Sequence, residues 1–129
     1  LSLAKEINRQ WSKIDQKAAI LIQVNLGEES SKSGTTAADL EALVRQVAEL
    51  EHLDVKGLMA LPPWCEDPED VRPYFRQLRE LAGRIKELHL PGVVMTELSM
   101  GMSHDFQVAI EEGATLVRVG TAIFGERNR

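Results

Sequence analysis

Two short segments near the end of the chain combine residue types that handle anions. Leu98-Ser99-Met100-Gly101-Met102-Ser103 and Val117-Arg118-Val119-Gly120-Thr121-Ala122-Ile123-Phe124-Gly125 each read as a buried strand entering a Gly/Ser/Thr turn and then a helix. Such junctions present backbone N–H groups and hydroxyls to an anion. Two of them close together predict one shared phosphate cradle, with Ser99, Gly101, Ser103, Gly120 and Thr121 as its candidate residues. Small residues also build plain structural turns, so spacing alone leaves that reading open beside the anion site. Arg118 lies between Val117 and Val119, which strand alternation turns to the opposite face. A guanidinium in an apolar strand needs a partner. Either a ligand or a carboxylate such as Glu97 meets that need, and the sequence does not choose between them.

Other polar residues gather at predicted strand ends. Lys32, in the loop Gly27-Glu28-Glu29-Ser30-Ser31-Lys32-Ser33-Gly34, is either a solvated lysine or one that reaches an anionic ligand. Asn25 either orients a ligand or caps the following turn, and Met59, Met100 and Met102 read first as core filler. His52, His89 and His104 have no metal-ligand spacing, so no metal site is expected; His104 reads as the surface start of a helix. Trp64 reads as packing beside Cys65, and the Glu/Arg-rich helix faces as solvated surface. No Ser/His/Asp order or carboxylate pair marks a hydrolase.

These residues need elements to position them. Leu3, Ile7, Trp11 and Ile14 predict an amphipathic helix over 1–14, and Ala19 to Asn25 a strand covered on both faces. Thr36 and Asp39 resemble a capping box before a helix with Leu40, Leu43, Val44, Val47 and Leu50 on its buried stripe. Val55 to Leu61 is a second strand, closed by Pro62-Pro63. Asp67-Pro68 opens a turn before a helix with Phe75, Leu78, Leu81, Ile85 and Leu88 on its core face. Val93 to Leu98 is a third strand, Ser103 caps a short helix that stops at Gly113, and Thr115 to Val119 is a fourth strand. The αβαβαβαβ order predicts an α/β fold with a parallel sheet and right-handed crossovers. Four such strands make either a small open sheet or about half of a (β/α)₈ TIM-type barrel, which normally takes roughly 250 residues. In both architectures the strand C-termini form the functional edge.

The chain of 129 residues fits one domain, and 43% hydrophobic with 27% charged residues is ordinary for a soluble globular protein. A net charge of -5 argues against a general nucleic-acid or anionic-membrane surface, while leaving room for a local cationic pocket. Cys65 is the sole cysteine, which excludes an intramolecular disulfide and fits a reducing cytoplasm. No apolar run approaches the roughly 20 residues of a membrane span. The chain begins inside a helical pattern without Met, so residues 1–129 are expected to be a single truncated barrel portion.

The motifs Gln23-Val24-Asn25, Glu29-Ser30-Ser31-Lys32-Ser33-Gly34, Gly57-Leu58-Met59-Ala60 and the two anion segments occur in an order that resembles the YggS/PROSC-type pyridoxal phosphate homeostasis proteins. The resemblance runs through most of residues 1–127. It implies the barrel of the alanine racemase N-terminal domain, and binding of pyridoxal 5′-phosphate through a lysine Schiff base in vitamin B6 balance, without an established reaction. By the same resemblance Ser99, Gly101, Ser103, Gly120 and Thr121 surround the cofactor phosphate. Arg118 approaches the pyridine ring, Met59 lines the pocket, and Lys32 visits its mouth. The family's tethering lysine belongs to a segment before the first helix of this chain, and none of Lys5, Lys13, Lys17, Lys32, Lys56 or Lys86 sits in a matching motif. Covalent attachment is therefore not expected here. The alternatives are a racemase-like enzyme, for which no acid/base pair is visible, and a half-barrel without ligand. Open sheet edges predict self-association.

Overall fold

A computed structural model describes residues 1–27 and 33–125. The elements are α1 (Ser2–Ser12), β1 (Ala18–Val24), α2 (Leu40–Ala48), β2 (Leu53–Ala60), a 3₁₀ turn (Pro68–Asp70), α3 (Arg72–Glu87), β3 (Val93–Met102), α4 (Phe106–Glu111), β4 (Leu116–Arg118) and α5 (Thr121–Phe124). The sheet has four strands in the order β1-β2-β3-β4, every neighbouring pair parallel. This is the α/β repeat that the alternating pattern predicts, with each strand end delivered to one edge.

One face of the sheet carries the core. Ile22 and Val24 of β1, Val55, Leu58 and Ala60 of β2, and Leu98 and Met100 of β3 are buried with Leu40, Val44 and Val47 of α2. Helix α3 adds Phe75, Leu78, Leu81, Ala82 and Ile85, an i, i+3, i+4 stripe on one side. A fully buried Phe such as Phe75 contributes about 3–5 kcal/mol on the scale of truncation to Ala. The alternate residues are more open: Ala19, Val94 and Thr96 are exposed, and Leu21, Gln23 and Met59 half-buried.

Strand pairing demands one glycine in particular. A Cβ at Gly57 would stand 1.7 Å from the Glu97 carbonyl oxygen, so β2 and β3 approach more closely there than any side chain permits. The register shifts between Val55 and Gly57 at the same place. Thr36 Oγ1 accepts the Asp39 amide at 3.1 Å, which supplies the expected cap ahead of α2. Asp67 accepts the Glu69 amide at 2.9 Å before Pro68, as the Asp-Pro pair predicts.

Glu112 departs from the expectation of solvated helix faces. It is 5% exposed and receives Arg72 at 2.8 Å, Arg76 at 3.2 Å and Arg79 at 3.4 Å. The three arginines share one stripe of α3 at i, i+4 and i+7, so one carboxylate clamps α3 to the end of α4. Hydrogen bonds from Arg76 and then Arg72 hold the Glu112 carboxyl below the ordinary carboxylate range. A carboxyl depressed in the folded state stabilises the fold above its unfolded value near 4.5, and loses that contribution as pH falls through the folded value. The melting temperature is expected to fall as pH is lowered through about 4.5, with a shallower decline in Glu112→Gln. Thermal melts across that range check this, and identical slopes in the two proteins contradict it.

Candidate functional site

The C-terminal strand ends converge on Arg118, the last residue of β4. Its Nη1 donates to Ser99 Oγ at 2.8 Å and its Nη2 to the Ala60 carbonyl at 3.0 Å, joining the ends of β2, β3 and β4. Ser99 is 6% exposed and sits behind the guanidinium. The Glu97 carboxylate instead accepts from Thr115 Oγ1 at 2.6 Å and forms no ion pair with Arg118. Among the described residues no carboxylate forms an ion pair with Arg118, and its buried Nε has no hydrogen-bond partner. Burial lowers the Arg118 pKa and the Asp105 carboxylate opposes that shift. A guanidinium remains charged under these conditions.

Strand β3 runs on to Met102, past the turn expected at Ser99, so Ser99 and Gly101 belong to the sheet. Gly101 has φ +102°, and a Cβ there would lie 2.6 Å from Ala109 Cβ and 3.3 Å from Phe106 Cα. Only glycine brings β3 so close beneath α4. Ser103 caps a different helix from the one its sequence position predicts. Its Oγ accepts the Gly120 and Ala122 amides, both at 3.0 Å, and so ties the β3 turn to the start of α5. The turn before α4 is closed by Asp105, whose Oδ1 accepts the Met102 amide at 2.8 Å. A hydroxyl oxygen accepting two N–H bonds still has its proton to donate outward.

In front of these groups lies a cavity of about 790 Å³, lined by Trp64, Ser103, His104, Arg118, Gly120 and Thr121 among others. Nothing stands within 4 Å of where a Gly120 Cβ would be, and Thr121 is exposed. Gly101, Ser103, Arg118, Gly120 and Thr121 thus meet at one cavity, with Ser99 reached through Arg118. Met59 is half-buried in β2 and does not line it, and Lys32 lies outside the described residues. Among the described residues no lysine lines the cavity, and no group of three or more His, Cys, Asp or Glu is arranged to hold a metal.

Among the lining residues that the sequence did not mark as candidates are His104 and Trp64. His104 Nε2 lies 3.0 Å from the Cys65 carbonyl and 2.8 Å from that of Glu66, and its ring stacks on Trp64 with centroids 5.1 Å apart. The available signal was an aromatic residue just after a strand end at the functional edge, Trp64 beyond Pro62-Pro63.

Comparison with known proteins places this geometry in context. The model of the alanine racemase N-terminal domain matches residues 1–128. The pyridoxal phosphate homeostasis protein of Aquifex aeolicus is 50% identical over 126 residues, which cover 98% of this chain and 54% of that protein. The chain therefore spans about half the length of the curated relatives it matches. PipY of Synechococcus elongatus, solved without pyridoxal phosphate, is 35% identical with a TM-score of 0.86, over 96% of this chain and 57% of PipY. PipY with pyridoxal phosphate bound gives 32% identity and a TM-score of 0.82 over the same shares, 96% and 57%. Alanine racemase of Clostridium difficile shares the fold at 14% identity, with a TM-score of 0.77 over 99% of this chain and 33% of the enzyme.

The Ser103 cap generates a local prediction. A side-chain cap of this kind contributes about 1 kcal/mol. Ser103→Ala is expected to speed hydrogen exchange of the Gly120 and Ala122 amides by about fivefold while the core amides keep their protection. Unchanged exchange at both amides contradicts the assignment.

Proposed function

We propose that this chain, which belongs to the alanine racemase N-terminal domain family, binds pyridoxal 5′-phosphate through its phosphate and serves vitamin B6 homeostasis. The observation that carries the reading is the convergence of Ser103, Gly120 and Thr121 with the half-buried Arg118, whose Nε has no hydrogen-bond partner among the described residues, at one open cavity. A phosphate gains from hydroxyl and backbone donors gathered in this way, and the Arg118 guanidinium beside it faces the pyridine ring in this reading.

The residues present fit that group at its phosphate end. Ser103 and Thr121 offer hydroxyls and Gly120 leaves space for close approach, while Arg118 stands beside them to meet the pyridine ring. Gly101 lets the cradle form by allowing α4 to pack against β3. Ser99 fixes the guanidinium and Met59 supports the strand end from within β2, while Lys32 counts as a mouth residue on the family resemblance alone. When bound, pyridoxal phosphate supplies an electron-withdrawing ring and an aldehyde that condenses with amines. This chain's own contribution is to seat the phosphate. Since no described lysine lines the cavity, the binding is non-covalent in our reading.

The same reading takes residues 1–129 as one portion of a β/α barrel, acting in the cytoplasm on a small-molecule cofactor and not on nucleic acid or membrane. The net charge of -5 supports this. No described helix is long and apolar enough to cross a membrane. The outer strands β1 and β4 and the half-open sheet face favour pairing of two copies.

Pyridoxal 5′-phosphate at 100 times its Kd is expected to stabilise the chain by about 2.7 kcal/mol, read as a rise in melting temperature, with the rise reduced in Arg118→Ala. Borohydride reduction of the mixture followed by mass spectrometry is expected to show no stoichiometric pyridoxyl adduct on a single lysine. Absence of any thermal shift contradicts binding, and stoichiometric labelling of one lysine contradicts the non-covalent mode. Light scattering at micromolar concentration is expected to give a mass above the 14.4 kDa of one chain. A monomer contradicts the pairing.

A further inference from the structure

We propose that His104 latches the connection of residues 61–67 beside the phosphate cradle and fixes the Trp64 indole as an aromatic wall for the ring of the bound ligand. The proposal rests on the reading of the cavity as a pyridoxal phosphate site and adds to it how the ring end is recognised. It makes His104 a positioning residue and Trp64 a specificity residue.

An exposed tryptophan borders the cavity. Trp64 is 71% exposed although an indole is a large apolar group that normally packs. It is held in place by its neighbour in space, stacking on the His104 ring at 5.1 Å and an interplanar angle of 27°. The same imidazole grips the backbone beside it. Its Nε2 faces the carbonyl oxygens of Cys65 at 3.0 Å and Glu66 at 2.8 Å, and carbonyls only accept, so Nε2 carries a proton and donates to both. One side chain therefore supplies both a flat face for the indole and a donor for the chain that carries it.

The location links this latch to the anion site. His104 follows Ser103, whose hydroxyl gathers the Gly120 and Ala122 amides, and precedes Asp105, which closes the same turn on Met102. A single three-residue turn thus joins the loops after β2, β3 and β4. Trp64 and His104 line the cavity together with Arg118, Gly120 and Thr121, so a ligand with its phosphate in the cradle has an aromatic surface on the cavity wall. A planar aromatic ring gains from such a surface by offset or edge contacts. Inorganic phosphate gains nothing from it.

The test uses the full chain carrying Trp11→Phe, which leaves Trp64 as the single tryptophan of the two in the sequence. Without ligand, His104→Ala is expected to raise acrylamide quenching of Trp64, by up to about 1.4-fold given its 71% exposure. His104→Gln, which retains a donor but no ring, and His104→Phe, which retains a ring but no donor, are each expected to restore the latch in part. With ligand, His104→Ala and Trp64→Ala are expected to weaken pyridoxal 5′-phosphate about tenfold while inorganic phosphate affinity stays within twofold. Equal quenching in the parent and His104→Ala overturns the latch. Binding of pyridoxal 5′-phosphate by the parent with an unchanged preference over phosphate in Trp64→Ala overturns the ring wall alone. Failure of the parent to bind pyridoxal 5′-phosphate overturns the functional reading and the ring wall with it, while the quenching measurement still decides the latch.

Discussion

A half-buried guanidinium where three parallel strands end constrains everything around it. Arg118 binds Ser99 of β3 and the carbonyl of Ala60 of β2 from its own place on β4, so these hydrogen bonds go to neutral oxygens, with the Asp105 carboxylate acting on its charge without an ion pair. Neutral acceptors satisfy hydrogen bonds without cancelling charge. The surroundings are arranged to keep that charge facing the cavity. The strands must be parallel and in order for their ends to meet, and Gly57 permits the close approach of β2 and β3 that sets their spacing. Gly101 allows α4 to settle on β3, and Ser103 then reaches across to the start of α5.

Remote packing serves the same end. The Glu112 clamp joins α3 to α4 through three arginines on one helical stripe. Because α4 follows the turn of residues 103–105, fixing its far end steadies the turn that bears Ser103 and His104. The connection from core to site is therefore short: an apolar face on α3, a charged stripe beside it, and a helix bridging to the cavity rim.

Much of this was legible in the sequence, for reasons that particular residues make plain. The helical stripe of Phe75, Leu78, Leu81 and Ile85 and the apolar run of β1 specify elements locally, and their alternation specifies a parallel sheet. Arg118 between two valines marked a charge within the sheet, and the glycine and hydroxyl residues around it marked the strand ends that meet at the cavity. What stayed hidden was pairing over long sequence distance. Ser103 has the residue type of a helix cap, but the amides it accepts belong to Gly120 and Ala122. Glu112 looked like solvent-facing charge because its arginines lie on another helix. His104 and Trp64 meet only after the ends of β2 and β3 are brought side by side.

The central claim is that this chain seats the phosphate of pyridoxal 5′-phosphate in the cradle of Ser103, Gly120 and Thr121, with Arg118 facing the ring. Calorimetric titration with pyridoxal 5′-phosphate and with pyridoxal, which lacks the phosphate, tests it most directly. Two charge-assisted hydrogen bonds lost with the phosphate correspond to a weakening on the order of 100-fold or more. The account predicts that loss, and equal affinity for the two compounds would contradict it.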